Sequence, residues 1–356
     1  MKALKNWVID HQVAAFFIIA FAITWGVGAP YDALLNDGQY LWLPVIFLAF
    51  TGPGLAGIII SAITNTQPVQ RSRKAFWIAF FMAWATGIVV CLANQHFIQN
   101  MPLSPMIVGL IAVAVLPVAF VIASAYSHNP GVRRYLASLV QVRGVWGWML
   151  LAFVLFPALF LICYPLNQLI YKQPIPTGQL PEISLSLIGL VAVKFFYQLM
   201  FFNATGEEAG WRGFALPRFQ ARTSPLLSSV MIGFLWATWH FFGWKAEGLP
   251  VWDAGFWLDM FAATILLSIL IVWICNRANG SILVAGIAHA ALNTVQAFVP
   301  NWGPLMLVLS VTAVVVILVD RMWKKLPRDH PAVYQSPQPD ETHTELDQPL
   351  AERSPV

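Results

Sequence analysis

Residues 185–212 read LSLIGLVAVKFFYQLMFFNATGEEAGWR: an apolar run from Leu185 to Thr205 interrupted by one cation, Lys194, and then an acidic pair, Glu207 and Glu208, with Arg212 behind it. A run of that length, coiled as an α-helix, crosses a hydrocarbon core, for which about 20 residues suffice. The chain repeats the pattern in both directions. Before it come Val13 to Ala29, Leu41 to Thr64, Ala75 to Phe97, Met106 to Tyr126 and Trp146 to Ile170; after it come Leu226 to Trp244, Phe256 to Asn276, Ile282 to Val299 and Pro304 to Asp320. Of the 356 residues 58% are hydrophobic and 10% charged, with a mean hydropathy of +0.68. Globular domains carry about 25% charged residues, so a soluble enzyme is excluded. The expectation is an all-α polytopic transmembrane bundle of about ten spans.

Charge supports that division. Of 36 charged side chains, 11 fall in the last 36 residues, which leaves 25 for the first 320. From Pro327 onward the composition turns to Pro, Gln, Glu, Asp and Ser, as in Ser336-Pro337-Gln338-Pro339-Asp340-Glu341, too polar to offset its ordering entropy. Residues 327–356 therefore read as a disordered tail, 1–184 as N-terminal membrane helices, 185–299 as the chemical core and 300–326 as a last span. Lys and Arg in short loops concentrate on the cytoplasmic side. With ten spans, 17 of the 20 Lys and Arg lie in segments on one side together with both termini, which are therefore expected in the cytoplasm of a cell membrane. The first ten residues could be an n-region, but no small-residue cleavage site follows and more spans do, so the first helix reads as retained. No basic patch points to nucleic acid. Cys91, Cys163 and Cys275 sit inside apolar runs, as small buried hydrophobes do.

Ionisable groups inside a bilayer are costly and mark function by default. Spans one to five contain almost none, whereas Glu207, Glu208, Arg212, Asp259, His240 and His289 all fall between Lys194 and Asn293. In a helix, Glu208 and Arg212 share a face at i, i+4, and Glu207 stands about 100° away. Two carboxylates in unequal environments have their pKa values pushed apart, which can leave one as a general base; a salt bridge that ends a helix is the plainer alternative. His240 lies among aromatics in Phe234-Leu235-Trp236-Ala237-Thr238-Trp239-His240, where, taken alone, a histidine is more often a hydrogen-bonded core residue than a ligand. His289 and Asn293, four apart, can jointly hold a metal, a water or an oxyanion, or glue two helices together. Lys194 is expected to pair with Asp259, and Glu247 and Asp253 read as loop residues without chemistry.

Taken together and in this order, Glu207-Glu208-x-x-x-Arg212, an aromatic followed by x-x-x-His240, and His289-x-x-x-Asn293 resemble the CPBP family of intramembrane proteases, which joins type II CAAX prenyl endopeptidases with bacterial proteins of bacteriocin processing and self-immunity. The second motif usually reads Phe-x-x-x-His; here Trp236 holds the aromatic position. The resemblance covers residues 185–299 and implies a core of about eight helices. It implies that Glu207 activates the attacking water, that His240 holds that water or a metal, that Glu208 and Arg212 orient the first carboxylate and the substrate backbone, and that His289 and Asn293 complete the site by ligation or by stabilising the oxyanion. It leaves two mechanisms open: a zinc ion on Glu207, His240 and His289, as in a metalloprotease, or water activated by glutamate alone. No His-Glu-x-x-His and no rhomboid-like serine segment is present, and Tyr31-Asp32 lacks the Gly-x-Gly-Asp of an aspartyl type. The expected substrate is a membrane-anchored peptide or lipidated protein, cut in a cavity near the cytoplasmic leaflet. Two rivals remain: a non-catalytic peptide-binding scaffold or immunity factor on the same fold, and a transporter with a proton relay.

Overall fold

The computed structural model describes residues 2–29, 40–69, 72–172, 181–300 and 303–335. Every regular element among them is helical, as lipid requires: only a helix or a closed barrel satisfies its backbone polar groups within itself. In chain order the helices are α1 (Lys2–Asp10), α2 (Gln12–Gly28), α3 (Trp42–Phe50), α4 (Gly52–Ile63), α5 (Lys74–Phe97), α6 (Pro105–Ala114), α7 (Leu116–Ser124), α8 (Pro130–Leu136), α9 (Trp146–Tyr171) and α10 (Leu185–Gln198). Leu199–Ala215 is a π-helix, which runs on into α11 (Leu216–Gln220). Then follow α12 (Pro225–Trp239), α13 (Phe241–Ala246), α14 (Ala254–Arg277), α15 (Ile282–Phe298) and α16 (Leu305–Val319).

The starts of the later helices are written locally. Ser184, Ser224 and Ser281 each accept the backbone N–H three residues on, and Asp253 Oδ1 accepts Phe256 N at 2.8 Å, satisfying donors that a helix start otherwise leaves orphaned. Between α14 and α15 the chain turns through Asn279 (φ 58°) and Gly280 (φ 75°), and a glycine suits that left-handed turn.

Among the described residues, six of the ten expected spans are single helical stretches long and apolar enough to cross a membrane, and the count reaches eight when two bent pairs are included. One pair is α3 and α4, bent by 51° at Gly52-Pro53; in the other, α1 turns away from α2 by 106°. The last two expected spans, α15 and α16, are shorter apolar helices. Side chains such as Phe81, Val89, Leu150 and Leu318 stay exposed on the outside of the bundle, where acyl chains would cover them.

The basic segments meet at one end of the bundle. Arg218 Nε donates to Gln12 Oε1 (2.9 Å), Arg277 Nε to Asp320 Oδ2 (2.7 Å), and Ser138 Oγ to Gly280 O (3.3 Å). The chain after Pro327, expected to be disordered, is anchored here as far as Gln335: Ala332 and Val333 are buried, Gln220 Nε2 donates to Ala332 O (2.8 Å) and Tyr334 N to Pro217 O (3.0 Å). The Arg218 guanidinium sits between the Phe214 ring (3.5 Å) and the Tyr334 ring (4.0 Å), a cation–π sandwich that composition does not reveal. Ser336 to Glu341, like Tyr31-Asp32, lie outside the described residues. The expected pairing of Lys194 with Asp259 does not form: Asp259 is exposed, and the Lys194 ammonium lies 5.8 Å from the Tyr197 ring centre.

Candidate active site

The acidic pair does not sit at an interfacial helix end. It lies in the middle of one 36-residue helical stretch, Leu185–Gln220, with Glu207 2% exposed, Glu208 0% and Arg212 1%. The segment that carries it is wider than an α-helix; the Leu216 N–H, for instance, donates to Trp211 O, five residues back. Such π segments are rare and cluster at functional sites. A wider turn also brings neighbours closer in angle than the ~100° of an α-helix, so Glu207 and Glu208 diverge less than the sequence reading assumed. Close packing needs the glycines that flank them: a Cβ on Gly206 would collide with Phe50 O, and one on Gly210 with Pro53. Hence α3 and α4, outside the motif region, set the depth of the site.

Aromatic side chains brace it from the other side. Trp211 meets Phe16 and Trp239 edge-on at 5.7 Å each, and Trp239 Nε1 donates to Thr24 Oγ1 at 2.8 Å. Each such ring pair adds about 0.5–1.5 kcal/mol beyond its buried area. The long apolar contact between α9 and α15 holds His289 against the π-helix.

The two glutamates then part company. Glu208 Oε1 accepts Arg212 Nη1 at 2.9 Å and His289 Nδ1 at 2.8 Å, all three groups being buried. An ionised carboxylate only accepts, so Nδ1 carries the proton and His289 Nε2 keeps its lone pair in the neutral ring. Glu207 faces another set: its Oε2 accepts the Trp236 indole N–H at 2.5 Å and lies 3.8 Å from His240 Nε2. His240 Nδ1 donates to Trp236 O at 2.8 Å, which again fixes the tautomer and leaves Nε2 free. Asn293 Nδ2 donates to the fully buried Asn203 Oδ1 at 3.4 Å. All six residues singled out from the sequence thus fall in one neighbourhood, but Glu208 and Arg212 orient His289 rather than Glu207.

A cavity of about 830 Å³ opens onto this neighbourhood. Glu207, Trp236, His240, His289 and Asn293 form its polar wall; Phe50, Phe160, Phe202, Leu267 and Met306 are among its apolar ones. Its lining includes Trp244 of α13 and the exposed Glu247 and Gly303, which form a rim at the ends of α14 and α15 away from the basic end. The cavity therefore opens away from the end where the basic segments meet, not near it as expected. Glu247, given no chemistry from the sequence, is exposed and lines it.

Glu207, His240 and His289 were the metal ligands implied by resemblance. Among the described residues no three His, Cys, Asp or Glu side chains converge as a metal-holding group. Glu208 Oε1 is already shared by two donors and Glu207 Oε2 by an indole.

Comparison with known proteins points the same way as the motifs. Residues 189–295 match the family model described as type II CAAX prenyl endopeptidase Rce1-like, a stretch that contains all six site residues. A stretch of 103 residues is 33% identical to CAAX prenyl protease 2 of Methanococcus maripaludis, covering 28% of this chain and 38% of that protein. The resemblance read from three motifs is thus borne out over the core: residues 189–295 are similar to type II CAAX prenyl endopeptidases of the Rce1-like kind. The chain spans little more than a third of the length of that curated relative. Sequence reasoning missed Asn203 and the hydrogen-bonding part of Trp236; the tryptophan standing where the family pattern has phenylalanine was the available signal.

Proposed function

We propose that this protein is an intramembrane endopeptidase that hydrolyses a peptide bond of a membrane-anchored substrate with a water activated by Glu207. The observation that carries this reading is the pairing of Glu207 with His240 Nε2 across 3.8 Å, on the polar wall of a cavity of about 830 Å³ inside an apolar bundle. A water lodged between them gives one proton to the free oxygen of Glu207 and is held by the His240 lone pair. Its oxygen attacks the scissile carbonyl carbon. The carbonyl π electrons move onto oxygen, and the oxyanion is met by the remaining Asn293 N–H; donors aimed at developing charge are usually the largest contribution to such a reaction. Collapse breaks the C–N bond, and Glu207 returns its proton to the leaving amine. No step needs a metal.

With the basic end in the cytoplasm, the rim at Glu247 and Gly303 faces the opposite side of the membrane. That favours peptides presented from that side or laterally over a prenylated cytoplasmic tail. The complete set of Glu207, His240, His289 and Asn293 around an open cavity also favours hydrolysis over a pure binding scaffold.

The test is cleavage of quenched-fluorescent peptides, prenylated and plain, by the detergent-purified protein and its Glu207→Ala and His240→Ala variants. Loss of cleavage in both is expected. Binding of a peptide without cleavage, equal in wild type and Glu207→Ala, would turn the reading to the scaffold.

A further inference from the structure

The second motif departs from its family pattern at one atom that matters. Phe would offer a ring there; Trp236 offers a ring and an N–H, and that N–H is 2.5 Å from Glu207 Oε2 with both residues buried. Among the described residues no other group donates to Glu207, since His240 Nε2 at 3.8 Å is beyond hydrogen-bond reach. The same residue holds the rest of the site. Its carbonyl accepts His240 Nδ1 (2.8 Å), its ring lies 5.1 Å from the Arg212 guanidinium, and it meets His289 edge-on at 5.1 Å.

We propose that Trp236 is a positioning residue for the hydrolytic step: its indole N–H fixes one oxygen of Glu207, so that the other is the oxygen that takes the proton from the water. This rests on the reading of Glu207 as the general base. The physical reason is torsional. The last torsion of a glutamate side chain is broad, so an unheld carboxylate presents either oxygen over a range of angles, and a charge-assisted bond to one oxygen selects a single presentation. Small misplacements of a reacting group cost large factors in rate. A phenylalanine at this position would pack the cavity wall and leave the carboxylate to turn.

Trp236→Phe keeps a ring beside Arg212 and His289 and removes only the donor; replacement of Trp236 by 3-benzothienylalanine keeps the bicyclic shape as well. In both, kcat on the best peptide is expected to fall about tenfold with KM unchanged. In a Glu207→Asp background, where the shortened carboxylate has already left the indole, Trp236→Phe is expected to cause no further loss. A wild-type kcat in either donor-less variant, a change confined to KM, or an equal fall in the Glu207→Asp background would overturn the assignment. Glu207→Gln separates the two levels: full activity in that variant would overturn the general-base reading itself, whereas an inactive Glu207→Gln beside an unimpaired Trp236→Phe would overturn only the part given to Trp236.

Discussion

Glu207 and Glu208 are neighbours in sequence and equally hidden from solvent, yet their surroundings differ in kind. Glu208 has two buried partners on one oxygen, a guanidinium and an imidazole, and its other oxygen is buried without one. Glu207 has one indole N–H, a histidine just out of reach, and a cavity in front of it. A buried charge met from two sides is structure; one met from a single side and opening on a cavity is poised for chemistry. Burial alone does not tell them apart. Partner count does.

The comparison can be broken most forcefully from the Glu208 side. Arg212→Ala strands a buried carboxylate and is expected to cost about 3–5 kcal/mol, seen as a lower thermal midpoint in detergent with activity falling in parallel with folded protein. Next in size, His240→Ala is expected to lower kcat about 100-fold while the midpoint holds, because His240 bonds only a backbone carbonyl of its own helix; a collapsed midpoint would make it a core histidine. Smaller is Tyr135→Phe. That hydroxyl donates to Ala209 O at 2.7 Å from the basic end, on the side of the π-helix away from the cavity, and its loss should cost about 1 kcal/mol of stability with kcat untouched. Smallest is chelation: a zinc chelator is expected to leave cleavage unchanged, and inhibition reversed by added zinc would show that a metal takes part.

Much of this architecture is written where the physics is one-dimensional. Apolar runs are properties of short windows, and they survive in the structure as helices. The three motifs named the site residues because charge inside lipid is so costly that its presence is informative. What stayed hidden depends on geometry between windows. The π-helix around Glu207, with Gly206 and Gly210 packed closely on α3 and α4, is announced by no local pattern. The direction in which the cavity opens needed the loops at Glu247 and Gly303 to be set beside Asn293. The anchoring of Ala332 to Tyr334 arises from a groove that Pro217, Arg218 and Gln220 supply, so a segment with little of its own to bury is ordered by borrowed surface. Periodicity placed Glu208 against Arg212 correctly, but His289 as a partner of Glu208 lies 81 positions away.

The most direct measurement sets Glu207→Gln beside Glu208→Gln, with kcat and the thermal midpoint read on the same preparations. The account predicts a crossing: Glu207→Gln loses cleavage and keeps its midpoint, whereas Glu208→Gln loses midpoint and keeps measurable cleavage in the fraction that remains folded. Two variants that behave alike, or a Glu208→Gln that is stable and inactive beside a Glu207→Gln that still cleaves, would contradict it.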